Sequence, residues 1–338
     1  MPGSVPGAAV APSVGSPVLW STSIAVLVAL LAADFLLTRR PHAVQMREAL
    51  AWSAFYLALP FLFAAFLWAT YGGLPALQFV TGFLMEKSLS VDNLFVFILL
   101  LAAFAVPPEL AQRVLLFGIA GALVLRGVLI ALGAAMVQAG TWAFLVFGGI
   151  LFVTAAKLLY GLVTGTDEIR EPDVSRMRSV RLLRMLMPVT DRYHGVRLCV
   201  RDGGRLSLTP LIVVVVAVLA TDVVFAVDSI PAVYGVTADP YLVFATNAFA
   251  LLGLRALYFV LKSGLSALVY LNHGLALILA LIGVKLVLHW AHTVWPGVPE
   301  IPTAASLVAV VVILGVVTVA SLWATRTAPA RSARGGES

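Results

Sequence analysis

The chain has 338 residues, of which 61% are hydrophobic and only 11% charged, with a mean hydropathy of +1.03. This composition excludes a large water-soluble enzyme and indicates an integral membrane protein. The net charge of +6 does not point to nucleic acid, because the basic residues sit beside apolar stretches, and the single cysteine, Cys199, excludes an internal disulfide or a thiolate metal cluster within one chain.

Residues 1–17 are rich in Pro, Gly and Ser, hold no Lys or Arg, and are expected to form a disordered tail. Apolar stretches follow near 18–37, 49–70, 78–105, 112–137, 142–164, 209–235, 241–262, 266–289 and 303–323. At about 20 residues per crossing they predict an all-α, polytopic bundle of about nine transmembrane spans over residues 18–325. The seven Trp lie at or near span ends, as an interfacial belt requires.

Basic residues set the expected orientation. Arg39, Arg40 and Arg47 follow the first span, Arg113 the third, nine Arg in 165–208 the fifth, Lys262 the seventh, and Arg326, Arg331 and Arg334 the ninth. The alternate connections near 71–77, 138–141, 236–240 and 290–302 hold no Lys or Arg. The expected protein is therefore a multi-pass protein of the bacterial cytoplasmic membrane, N-terminus out, with the 326–338 tail in the cytoplasm. Within the basic loop 165–208, residues 174–187 mix Arg with apolar side chains as a surface-lying amphipathic helix would.

Four carboxylates interrupt the apolar pattern: Glu86 and Asp92 in the third span, Asp222 and Asp228 in the sixth, each pair spaced i, i+6. A charge at the bilayer centre costs roughly 3 kcal/mol or more, so these acids call for a pathway for a cation or proton. The two regions are also related as repeats. Glu86 and Asp92 match Asp222 and Asp228, Arg126 matches Arg255, and Lys157 matches Lys285. Three spans per copy (78–164 and 209–289, flanking the basic loop) make the second copy inverted, a transporter architecture with its site between the repeats. Inversion then predicts two layers, Glu86 with Asp228 and Asp92 with Asp222. A spacing of six turns about 120°, so either one acid of each pair points away from the site or the helices unwind near Ser88, Ser90, Ser229 and Pro231.

Asn93, Ser229 and Asn247 stand beside the acids and complete an oxygen-rich set suited to Mn²⁺, Mg²⁺ or Ca²⁺. Lys87, Arg126, Lys157, Arg255 and Lys285 are intramembrane basic residues that either couple to transport or neutralise the acids as structural ion pairs. Lys285, near a span end, is expected to snorkel, Asp34 to cap or lie at the interface, and His273 and His289 to pack or lie at the interface. No Ser/His/Asp, Cys/His or paired-histidine metal motif appears in the spans, so no enzyme and no bound cofactor are expected.

The run from Glu86 through Asp92, Asn93 and Leu94 to Phe97 resembles the first signature segment of the TerC family of integral membrane proteins. The run from Thr221 and Asp222 through Asp228, Ser229 and Ile230 to Ala232 resembles the second, and the likeness continues through Asn247 to Phe259 and through Pro188–Gly195. The resemblance implies tellurium resistance or manganese efflux, with Glu86, Asp92, Asp222 and Asp228 handling the metal. Leu219 stands where many members carry Glu. The expected function is Mn²⁺ export, with two alternatives: tellurite transport, or a membrane anchor for a stress-response complex. Expected partners are a divalent ion and the lipid bilayer; the pattern also admits a homo-oligomer, or soluble stress-response proteins on the basic loop, but no nucleic acid.

Overall fold

A computed structural model describes residues 13–37, 46–164, 180, 185, 188–190, 193, 195, 197–202, 205–254, 257–258, 270–295 and 297–327. Among them the chain forms α1 (Pro17–Leu37), α2 (Met46–Tyr71), α3 (Gly73–Ala103), α4 (Pro108–Ala139) and α5 (Trp142–Thr164). A hairpin of β1 (Cys199–Asp202) and β2 (Arg205–Leu208) follows, then α6 (Pro210–Tyr234), α7 (Pro240–Leu252), α8 (Leu271–Val294) and α9 (Thr303–Thr327). Seven of these helices are long and apolar enough to cross a membrane; α7 has 13 residues, and the 31-residue α3 carries Glu86, Lys87 and Asp92.

Local chemistry explains the boundaries. Pro108, Pro210 and Pro240 each open a helix at a position where the missing N–H costs nothing. Asp239 caps α7 by accepting from the Tyr241 amide at 2.9 Å. Its carboxylate also accepts from Ser13 Oγ at 2.7 Å and the Val14 amide at 2.6 Å. Ser13–Ser16 is therefore docked on the α7 start, whereas the sequence reading assigned it to a disordered tail; residues 1–12 lie outside the described residues. The connection expected at 71–77 is also shorter. It is a turn at Gly72, whose φ of 91° lies in the left-handed region that glycine tolerates.

Facing residues define helix directions. Gly118 meets Val218, Gly121 meets Leu219 and Gly133 meets Tyr234, so α4 and α6 run parallel. Gly82 meets Thr246 while Lys87 reaches Ala250, so α3 and α7 run parallel. Phe144 packs on His289 and Gly283 on Leu151, so α5 and α8 are antiparallel. Helices α3 and α6 are antiparallel as well: Leu94, Phe97 and Leu101 share one apolar cluster with Leu211, Val214 and Val218, and Gly82 meets Val233 at the other end. Exchanging α3, α4 and α5 for α6, α7 and α8 leaves the main neighbour set unchanged. The pairs α3–α6, α4–α7 and α5–α8 map onto themselves, and α4–α6 maps onto α7–α3.

Two apolar clusters fill the bundle. One takes Leu94 and Phe97 of α3, Val114 and Leu115 of α4, and Val214 and Val218 of α6, together with Val180. The other takes Met85, Leu89, Ile130, Ile230 and Val233 with residues of α5 and α8. The hairpin seals the first end, where Tyr193 donates to the Phe104 carbonyl at 2.8 Å and Thr209 to that of Arg197 at 2.7 Å. This hairpin was not anticipated in an all-α chain. The predicted amphipathic helix at 174–187 lies almost wholly outside the described residues.

Helices α5 and α8 cross at close range. A Cβ at Gly148 would lie 2.9 Å from Val287 and 3.2 Å from the Gly283 carbonyl, whereas one at neighbouring Gly149 meets nothing within 4 Å. Small residues allow such approach, and overpacking costs about 1–3 kcal/mol. Gly148→Val is expected to lower the thermal midpoint of the purified protein by several degrees, and Gly149→Val to leave it nearly unchanged. Melting curves of the two variants in one detergent check this.

Candidate ion site

Arg126 lies in a polar band between the two apolar clusters, flanked on α4 by Ala122 and Leu123 of one and by Ile130 of the other. Asp222 stands twelve residues from each end of α6, about 18 Å by helical rise, and Glu86 and Arg126 are also near the middle of their helices. Charges at this depth have no water to return to, so they must satisfy one another.

They do so through one guanidinium. Arg126 Nε donates to Asp222 Oδ2 at 3.1 Å and Nη2 to Oδ1 at 2.9 Å, a bidentate fork. Nη1 donates to Glu86 Oε1 and, at 2.8 Å, to Asn247 Oδ1. Asn247 in turn donates to the Val243 carbonyl at 2.9 Å, which fixes its amide orientation. All four side chains are buried. One residue of α4 thus joins α3, α6 and α7.

This arrangement bridges the two expected layers through Arg126. Gly82 faces Val233, so four residues further along the antiparallel pair Glu86 stands opposite Ser229, seven residues from Asp222. That is about 10 Å of rise, and the long Glu and Arg side chains span it. Glu86 therefore shares a cation with Asp222. The helices also do not unwind at the acids: α3 and α6 are continuous through them. The interruption falls in α7, which stops at Leu252 before a turn at Gly253. Lys87, partly buried, donates to the Ala250 carbonyl there at 3.2 Å.

Continuous helices place the i, i+7 positions, not i, i+6, on a common face. Asn93 and Ser229 are accordingly buried, while Asp228 is half-buried. The side chain of Asp92 lies outside the described residues. Along α3, Glu86, Ser90 and Asn93 make a buried stripe in which Glu86 Oε2, Ser90 Oγ and Asn93 Nδ2 lack protein partners, as does Ser229 Oγ on α6. Buried polar atoms left unpaired are costly; the three oxygens suit a cation or ordered water, and the Asn93 amide nitrogen, a donor, suits water. Carboxylate and hydroxyl oxygens fit a hard cation, although no three His, Cys, Asp or Glu residues cluster among the described residues.

The remaining expected residues are dispersed. Lys157 is exposed on α5, Arg255 lies outside the described residues, and Lys285 is buried in the wall of a cavity that it shares with Glu300. Asp34 is buried in the last turn of α1, His273 is exposed, and His289 contacts Phe144 and Glu300. Leu219 packs against Gly121, so a hydrocarbon fills that part of the α4–α6 contact. Of the five basic residues that the sequence offers as partners of the acids, Arg126 is the one that joins Glu86 to Asp222 among the described residues.

The model of the integral membrane protein TerC family matches residues 71–328. An uncharacterized membrane protein of Myxococcus xanthus is 39% identical over 323 residues, covering 95% of this chain and 97% of its own. Alx of Salmonella typhi, named as a candidate membrane-bound redox modulator, is 41% identical, covering 92% of this chain and 96% of its own. Alx of Escherichia coli K12, named likewise, is 40% identical over the same shares. No solved structure matches the chain at a significant level. The chain belongs to the TerC family of integral membrane proteins.

Proposed function

We propose that the chain exports a divalent cation, Mn²⁺ foremost, across the bacterial cytoplasmic membrane, with its N-terminus outside and its C-terminus inside. In this reading α3–α5 and α6–α8 are inverted repeats within a nine-span bundle, and Glu86, Asp92, Asp222 and Asp228 handle the ion. The observation that carries it is the mid-helix cluster of Glu86, Arg126, Asp222 and Asn247. With both acids ionised the cluster holds two carboxylates and one guanidinium, and Glu86 keeps one oxygen without a protein partner.

Arg126 acts in this proposal as a tethered counter-cation. With no ion bound it offsets one of the two acid charges, and an arriving divalent ion takes its place at Glu86 and Asp222. When the ion leaves, the guanidinium returns and protonation of one carboxylate brings the site to neutrality, which couples export to protons. The redox role in the names of the Alx relatives finds less support here. A chain with one cysteine cannot form an internal dithiol pair.

Transport by purified protein in liposomes tests the proposal. Glu86→Gln and Asp222→Asn are each expected to slow Mn²⁺ movement about tenfold or more, the equivalent of losing one charged contact of roughly 1.5 kcal/mol. Unchanged rates in folded variants would refute it.

Removing the guanidinium separates folding from transport. Arg126→Met leaves two buried carboxylates unneutralised and is expected to destabilise the protein by about 3–5 kcal/mol. Adding Asp222→Asn and Glu86→Gln should restore much of the thermal midpoint while transport stays absent. Melting curves and liposome flux, measured on the same preparations, check both halves.

Orientation has its own measurement. Cys199 is exposed on β1, at the end sealed by the hairpin. It should resist an impermeant thiol reagent in intact cells and react once the membrane is opened; labelling from outside would reverse the orientation.

A further inference from the structure

At the end of the bundle opposite the hairpin, the α6–α7 connection, α8 and the start of α9 enclose a cavity of about 310 Å³. Its lining includes Gln78, Thr237, Lys285, His289, Glu300 and Thr303. We propose that this cavity is a binding site for a small oxyanion or carboxylate, separate from the Glu86–Arg126–Asp222 cluster.

Lys285 carries the argument. It is 9% exposed, its Nζ is buried, and Nζ has no protein hydrogen-bond partner. Glu300 is its electrostatic partner but accepts no hydrogen bond from it; an anion in the cavity would supply an acceptor. The second observation is the start of α9, at Thr303, in the same wall. Its first intrahelical bond runs from the Ser306 amide to the Pro302 carbonyl, leaving the amides of 303–305 as the unpaired first turn. A helix start of this kind favours negative charge.

The other polar groups add donors. Thr237 Oγ1 donates to Gln78 Oε1 at 3.1 Å, so the Gln78 amide nitrogen remains to donate elsewhere. Tyr234, also in the lining, spends its hydroxyl proton on the Ile130 carbonyl at 2.7 Å. Among the described residues, one anionic group faces the cavity: Glu300, whose Oε1 lies 2.6 Å from His289 Nδ1. Its side chain is 45% exposed, which places it at the solvent side, where it opposes an entering anion.

The test uses full-length protein in lipid nanodiscs, titrated with inorganic phosphate and separately with acetate by calorimetry. Saturable binding of either anion is expected, weakened about tenfold or more by Lys285→Met. Glu300→Gln, at the rim and outside the buried core, is expected to strengthen binding severalfold by removing the opposing charge. Absence of saturable binding up to about 10 mM of both anions would overturn the site. So would unchanged affinity in folded Lys285→Met. If that variant does not fold, Glu300→Gln decides: unaltered affinity with a lowered melting temperature would make Glu300 the structural counter-ion of Lys285, and the proposal would fall. The site does not depend on the proposed cation export, so either can fail without the other.

Discussion

The fork of Arg126 on Asp222, extended to Glu86 and Asn247, ties four helices together at a depth where none of these groups can be solvated. Only arginine meets the geometry. Its planar guanidinium offers donors in several fixed directions, whereas a lysine ammonium is a single point of charge. The register of α4 against α3, α6 and α7 must therefore bring three acceptors to one plane. The glycines at 118, 121 and 133 allow α4 to lie close against α6 and hold it in that register. Apolar packing above and below then excludes water and strengthens every charge interaction in the band.

Such a network is weak evidence for stability. Buried ion pairs are often no better than well-packed hydrocarbon of the same volume, because the cost of desolvation offsets their attraction. A membrane chain that needed only a stable core could place Leu at all four positions. Keeping two carboxylates, a guanidinium and an amide at the middle of the bundle, together with unpaired oxygens at Glu86, Ser90 and Ser229, is better explained by binding than by packing.

Much of this was legible in the sequence. Apolar length located nearly every helix, and two of three candidate neighbours, Asn93 and Ser229, proved buried because i, i+7 keeps a helical face. Asn247 proved buried as well, for a different reason: it accepts from Arg126. What the sequence hid was reach. Backbone levels could be assigned by counting residues, but counting could not show that the Glu86 and Arg126 side chains would cross the gap between them. The spacing of the acids left two alternatives, unwinding at the serines and proline or one acid of each pair turned away from the site; α3 and α6 stay whole, and Asp228 is only half-buried. The break moved to Gly253, a glycine between two leucines that nothing in the apolar pattern marks.

That break brings a second tethered cation into the same region. Lys87 follows Glu86 in α3 and donates to a carbonyl in the last turn of α7, where an α-helix carries partial negative charge. A guanidinium between carboxylates and an ammonium at a helix end occupy the two kinds of site that attract a free cation in a membrane. Adjacent residues of α3 thus reach both, Glu86 toward Arg126 and Lys87 toward α7. Movement of α3 relative to α4 disturbs the first contact and movement relative to α7 the second, so a shift of α3 against both disturbs the two together. The link follows from covalent adjacency: Glu86 and Lys87 are carried by one turn of α3, so a shift of that turn moves both side chains.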